Sequence, residues 1–346
     1  MRPRHTPDMQ ALLIWYDAHQ RRLPWRESLD AYRVWLSEVM LQQTTVPTVL
    51  GYYPRFLERW PSVEALARAS QDEVLAQWAG LGYYSRARKL HDCAKLVAFE
   101  RQGRFPETVE ALQKLPGIGP YTAKAVAAIA FKVNTVPMDG NIERVTARLF
   151  AITTPLPAAK PMLQELAQSL AVKERPGDLA QALMDLGSGI CTPTKPACPA
   201  CPLKKDCQAF KKGIAENLPT RAKRAAKPVR HGVAFLVERK KDGAVLLRKR
   251  PEAGLLGGML ELPGTPWQSE PLTDEAALAF APSGTGWRKA GLLRHVFTHF
   301  TLMLEVRTGS ATRTSQGAFW AKPEDLSQLA LPTLFKKALK FMALDV

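Results

Sequence analysis

Glu38 lies in a run from Val34 to Thr45 whose apolar residues recur at helical spacing. On such a helix its neighbours three and four residues away are Val34, Trp35, Leu41 and Gln42. An acid on a largely apolar face has its pKa raised by desolvation, as a general acid working near neutral pH requires. A helical glutamate is also a common surface residue, so position alone leaves both readings open. Asp139 follows Val136, Pro137 and Met138 and stands directly before Gly140 and Asn141. It is placed either to cap a following helix or to serve as a second acid.

Four of the five cysteines are clustered, with the spacing C-x6-C-x2-C-x5-C from Cys191 through Cys198 and Cys201 to Cys207. Without a secretion signal this is no disulfide framework, and four converging thiolates fit structural zinc or an iron–sulfur cluster. Zinc ribbons pair two C-x2-C knuckles, and here there is a single such pair. Lys195, Lys204 and Lys205 lie in the same loop, where they could face phosphate. Cys93, isolated in a helical stretch, reads as a small core hydrophobe.

Between Leu115 and Ala123 the chain holds Pro116, Gly117, Gly119 and Pro120. Gly117 and Gly119 permit a tight turn with positive φ. The amides opening the next helix can then grip a phosphate. An ordinary helix–turn–helix has the same glycines. The formal net charge of +16 favours polyanionic partners, although a merely basic soluble protein has it too.

The elements that position these residues divide in two. From Pro7 to about Leu203 apolar residues recur every three or four positions, punctuated by Pro and Gly, which predicts an all-α domain over 1–210. From 211 to 229, Lys211, Lys212, Arg221, Lys223, Arg224 and Lys227 are set among Ala, Pro and Gly. This reads as a basic linker, either beside DNA phosphates or as a solvated tether. Over 230–346 strand patterns appear at Val233–Val237, Ala244–Leu247 and Leu292–Val306, with a closing helix at Leu334–Met342, so the second domain is α+β. No apolar run approaches the ~18 residues of a membrane span, and residues 1–8 carry no apolar signal region. The expectation is a cytoplasmic, nucleoid-associated monomer with no membrane partner.

Several motifs carry a resemblance. The run Glu38-Val39-Met40-Leu41-Gln42-Gln43-Thr44, the segment Leu23-Pro24-Trp25-Arg26, the hairpin at Leu115–Ala123 and the uneven cysteine spacing resemble MutY-type helix–hairpin–helix DNA glycosylases of the endonuclease III superfamily. So does Phe297-Thr298-His299, which matches that family's F-[ST]-H loop. These enzymes remove adenine mispaired with 8-oxoguanine or guanine during base-excision repair. The resemblance implies a multi-domain fold: an all-α glycosylase domain with a 4Fe–4S loop over 191–207, then a Nudix-like mispair-recognition domain over 230–346.

It also implies roles. Glu38 would protonate the flipped adenine, and Asp139 would stabilise the oxocarbenium-like sugar, with Tyr121 and Asn141 in support. Arg26 and Asp185 would lie near the adenine pocket. Gln42, Gln43 and Thr44 would enter the DNA, and Gly117 and Gly119 would hold its backbone. Tyr83, on the glycine-flexed turn from Gly80, would wedge beside 8-oxoguanine, which Phe297, Thr298 and His299 would probe. Bifunctional relatives carry a lysine nucleophile where Tyr121 stands, and tyrosine forms no Schiff base, so no lyase step is expected. The alternative is an endonuclease III-type glycosylase–lyase acting on oxidised pyrimidines. Gly254–Gly264 resembles the Nudix fold, but only Glu270, Asp274 and Glu275 follow it, with no metal-holding helix, so recognition without hydrolysis is implied. At Leu255-Leu256 and Met259-Leu260 many relatives carry Trp. A repair partner at the linker is left open.

Overall fold

The computed structural model describes residues 7–222, 226–251, 254–314 and 317–342. They form two compact units: the described residues of Met1–Arg68 with Lys89–Arg224, and Ala69–Arg88 with the described residues of Ala225–Val346. The segment 69–88 thus belongs with the C-terminal unit, although it lies inside the predicted all-α stretch.

The first unit is helical: α1 (Met9–His19), α2 (Ala31–Met40), α3 (Val46–Arg59) and α4 (Val63–Arg68) lead, after the inserted α5 (Gln71–Gln77), into α6 (Ser85–Lys95). Then come α7 (Val109–Leu112), α8 (Pro120–Phe131), α9 (Gly140–Leu149), α10 (Lys160–Gln168), α11 (Pro176–Gly189) and α12 (Gln208–Lys211). The starts follow from local chemistry. Asp8, Asp30 and Asp139 cap α1, α2 and α9 with their carboxylates, and proline opens α8 and α11. Helix α11 packs against α1, α8 and α9 around Leu12, Ile142, Leu179 and Leu183, all wholly buried. Gly187 lets α11 approach α9 closely, because a Cβ there would lie 2.6 Å from the Cβ of Asn141.

The linker reading over 211–229 is corrected in its first half. Ala215 and Leu218 are buried, and Leu156 exchanges backbone hydrogen bonds with Thr220 and Ala222. Small apolar residues between the lysines bind this stretch to the helical unit. Lys223 and Arg224 lie outside the described residues, as do residues 1–6, and Arg230 is already in a strand.

The second unit holds a six-stranded mixed sheet of β1 (Val229–Arg239), β2 (Ala244–Lys249), β3 (Leu260–Glu261), β4 (Thr285–Val296), β5 (Thr301–Ser310) and β6 (Ala318–Ala321). The order is β3-β2-β1-β5-β4, with β6 also on β2; β1 and β5 run parallel and the other pairs antiparallel. Alternate residues Ala234, Leu236, Leu302 and Leu304 face α14 (Thr333–Leu339), which contributes Leu334, Phe335 and Ala338. The predicted single run Leu292–Val306 is two strands, β4 and β5, turning between Val296 and Thr301. A one-turn helix, α13 (Asp274–Leu278), also forms where none was expected, because Thr273 caps it through the amide of Ala276.

Candidate active site

In the helical unit a cavity of about 640 Å³ is lined by residues from the 23–26 segment, the Glu38 run, the hairpin and the Asp139 segment. Glu38 enters from the last turn of α2, Tyr121 from the first turn of α8, and Asp139 and Asn141 from the start of α9. Arg26, Gln42, Gln43, Thr44, Gly117 and Gly119 complete the predicted lining.

Glu38 is 5% exposed, and the Tyr121 hydroxyl donates to its Oε2 at 2.7 Å. Burial pushes its carboxyl up to about 7; the Tyr121 hydrogen bond and Arg26 oppose this, while the charge of Asp139 adds to it. The Tyr121 phenol is itself held far above its ordinary range by burial, so it acts as a fixed donor. Asp139 is both the cap and a cavity acid, the two readings its position left open. Its Oδ1 accepts from the amides of Asn141 and Ile142 at 2.9 and 2.7 Å, and its Oδ2 accepts from the Asn141 side chain at 2.9 Å. Three donors and the positive end of α9 thus surround this side chain. The cavity therefore pairs a buried acid whose carboxyl is pushed up to about 7 with a second acid hydrogen-bonded at a helix start.

Asp185 stands one residue back from the cavity surface. Arg26 grips it with two parallel hydrogen bonds of 2.7 and 2.8 Å, and Arg21 adds another at 2.6 Å. Burial alone would raise the Asp185 carboxyl, but these guanidinium groups hold it below the usual range. Its side chain is 2% exposed. Arg26 lines the cavity and Asp185 stands behind it, holding it in position.

At the hairpin, Gly117 has φ +74°, and a Cβ there would lie 2.7 Å from the Cβ of Lys89. Gly119 is extended, with φ −84°, so the expectation of positive φ is corrected for this residue. It is the N-cap of α8, ahead of Pro120, and supplies no side chain over the helix end. Helix α2 stops at Met40; Gln42 donates to the Thr122 hydroxyl at 2.9 Å, and Gln43 turns to φ +56°.

Another set of predicted residues meets in the second unit. Tyr83, 45% exposed with φ +49°, has its hydroxyl 3.2 Å from that of Thr298. Arg86 lies over the rings of Trp78 and Tyr83 and donates to the carbonyls of Leu81 and Gly82, fixing the turn that carries Tyr83. Phe297 closes the β4–β5 hairpin through its amide to the Phe300 carbonyl and stacks on Trp267, leaving Thr298 and His299 exposed. Of the acids after Gly264, Asp274 is tied to Lys289 and Arg307.

The four predicted cysteines line one cavity with Arg148, Lys204 and Phe210. Arg148 donates to the Cys191 sulfur at 3.3 Å. Burial pushes the Cys201 thiol up to about 12 and raises those of Cys198 and Cys207. Among the described residues no three His, Cys, Asp or Glu side chains gather closely enough to hold a single ion. One zinc would need all four sulfurs at about 2.3 Å. The four thiols border one cavity and are soft donors of the kind that iron or zinc takes. Lys204 turns its ammonium to the Pro199 carbonyl, within its own loop.

Two residues that sequence reasoning passed over connect these places. Arg144 of α9 donates to Asn141 Oδ1, to the Gly187 carbonyl and to the Cys191 carbonyl. Arg148, one turn on and 1% exposed, donates to the carbonyls of Leu218 and Thr192. The signal available was two arginines four apart on the helix that Asp139 caps.

A helical unit of this kind, with a glycine hairpin beside paired acids, belongs to a class with a matching family model: "HhH-GPD superfamily base excision DNA repair protein" over residues 36–171. The model "NUDIX domain" matches 233–341. The human adenine DNA glycosylase is 36% identical across 95% of this chain and 73% of its own length. The Schizosaccharomyces pombe protein of the same name is 28% identical across 93% and 86%. A solved thermostable thymine-DNA glycosylase aligns with 59% of this chain and 95% of its own, at 29% identity and TM-score 0.54. The chain belongs to the adenine DNA glycosylase family.

Proposed function

We propose that this chain is a monofunctional glycosylase that flips adenine out of double-stranded DNA, where it is mispaired with 8-oxoguanine or guanine, and hydrolyses its N-glycosidic bond. The observation that carries this is the cavity acid pair, with Glu38 raised to about 7 by burial and Asp139 bonded by three donors at the start of α9. Neutral Glu38 gives its proton to the purine ring at N7, so the base leaves as a neutral molecule. Asp139 faces the cation that develops at the sugar, and water supplies the hydroxyl to C1′ while its remaining proton restores the Glu38 carboxyl. Tyr121 orients Glu38, and Asn141 orients Asp139. Arg26, steadied by Asp185, borders the adenine. Gln42, Gln43, Thr44 and the Gly117–Gly119 turn meet the DNA, and Tyr83 with Phe297, Thr298 and His299 reads the opposite base.

Single-turnover cleavage of a duplex with one A·8-oxoguanine pair tests this. Strand breaks are expected only after alkali. Breaks without alkali would point to the lyase alternative on the endonuclease III pattern, and intact strands in both samples would sink the reading.

The cysteine cavity supports a 4Fe–4S cluster on Cys191, Cys198, Cys201 and Cys207. When bound, the cluster supplies a rigid four-point tie for this loop, and the Arg148 hydrogen bond reaches one of its thiolates. Purified protein is expected to hold about four irons per chain, and Cys201→Ser to lose iron and melt earlier. One zinc per chain would overturn the assignment. Among the described residues no helix is long and apolar enough to cross a membrane. The domain reading becomes a helical glycosylase unit reaching residue 222 and a mispair-reading unit that includes 69–88.

A further inference from the structure

Where β1 and β5 end side by side, with Glu238 paired to Ser310, the second unit has a cavity of about 380 Å³ that none of the roles above uses. Lys240 and Arg313 line it together with four hydroxyl side chains, those of Ser283, Thr285, Ser310 and Thr312. Among the described residues its lining holds no carboxylate. The acid of the adjoining β1–β2 turn, Asp242, is taken up by Arg239, which donates to its two oxygens at 2.8 and 2.6 Å. The lining thus carries two positive charges and no anion. Its walls are fixed by backbone and ring contacts. The Ala311 amide donates to the Glu238 carbonyl at 3.2 Å, and the Gly243 amide to the Arg239 carbonyl at 2.9 Å. A Cβ on Gly284 would lie 3.1 Å from both the Ser310 carbonyl oxygen and the Trp287 ring. That ring packs edge-on against Phe235, which is wholly buried.

We propose that this cavity binds a terminal phosphate group, either free phosphate or a phosphorylated side chain. Such a group carries close to two negative charges at pH 7 and three strong acceptor oxygens. The cavity answers with two positive charges: Arg313 offers a planar fork and Lys240 a point charge. The hydroxyls of Thr285 and Thr312 rotate to donate to the remaining oxygens. Walls already fixed by the sheet and by Trp287 leave little to order on binding. A duplex phosphodiester fits less well, because it carries a single charge and is flanked by sugars on both sides, whereas a terminal phosphate enters a concave site on one bond. The place is also distinct. The 10 residues of β5 put about 30 Å between this end of the sheet and the turn that holds Thr298 and His299.

The test is amide-shift NMR of the full, isotope-labelled chain titrated with inorganic phosphate and, separately, with phosphoserine capped at both ends. Both titrations are repeated on the double variant Lys240→Gln, Arg313→Gln. These residues are exposed, so their replacement leaves the core intact, and an unchanged melting curve checks that. The expected result is saturable movement of the Lys240, Thr285 and Thr312 amides. The double variant is expected to bind at least about tenfold more weakly, a loss of about 1.4 kcal/mol. Equal affinity for the two probes supports the proposal with free phosphate as the ligand, and tighter phosphoserine binding supports it with a phosphorylated side chain. No saturable movement of those amides below about 20 mM probe overturns it, as does full affinity in the double variant. Displacement of phosphate from these amides by lesion-free duplex DNA would also overturn it, because the cavity would then belong to the DNA surface. Adenine release from the mispaired duplex is a separate readout, so failure here leaves the glycosylase reading untouched.

Discussion

Glu38→Gln is expected to slow single-turnover adenine release by about 10²–10⁴, the range that a positioned general acid contributes. Glutamine keeps the size of the side chain and an oxygen for the Tyr121 hydroxyl, but it has no proton to give. The pH dependence follows from the same burial. Because the acid works in its neutral form, the wild-type rate is flat below about pH 7 and falls about tenfold per unit above it, as Glu38 ionises. Stability moves in the same direction. The folded-state carboxyl titrates higher than an exposed one, so the neutral form contributes stability that is fully present at low pH. It is lost as pH rises through about 7, by an amount on the order of 3 kcal/mol. A variant whose rate stays within threefold of wild type, or one that keeps the same descending pH limb, would remove Glu38 from the role of acid.

Asp139→Asn is expected to lower the rate by about 10²–10³, comparable to losing one group that stabilises developing transition-state charge. The carboxylate has two duties here, capping α9 and facing the cavity, and this substitution separates them. The amide oxygen can still accept from the amides of Asn141 and Ile142, so stability should change by no more than about 1 kcal/mol. The negative charge is gone, and the Asn141 side chain loses its anionic partner. Melting curves and single-turnover rates measured on the same preparation decide the matter. A large fall in stability with a proportionate fall in rate would mean that Asp139 is only a cap.

Much of this was legible in the sequence because the chemistry is local there. Glu38, Tyr121, Asp139 and the four cysteines each sit in short runs with their own turn and cap signals. The structure brings the first three to one cavity and the sulfurs to another. What escaped was long-range. Nothing near Asp185 announces that Arg21 and Arg26, more than 150 residues earlier, hold it behind the cavity wall. Gly119 looked equivalent to Gly117, but backbone angles depend on what surrounds a glycine, and Lys89 presses only on Gly117. The lysines of 211–222 suggested a tether because charge is conspicuous, while Ala215 and Leu218 bury themselves with little periodicity. Segment 69–88 has an ordinary helical pattern, and its membership of the other unit is invisible until Tyr83 is found beside Thr298.

That last pairing bears on how this gene can be divided. The chain passes between its two units three times, after residues 68, 88 and 224, so the surface carrying Tyr83, Thr298 and His299 is assembled from two stretches far apart in sequence. A stop codon after residue 224 would not yield the helical unit free of the C-terminal one. It would leave 69–88 behind as a fragment of the second unit, stripped of the bonds from Asp72 to Lys249, Arg88 to Gly257 and Tyr83 to Thr298. The two units are therefore interleaved in the reading frame, and a shuffled exon or a fusion partner added at residue 224 inherits parts of both.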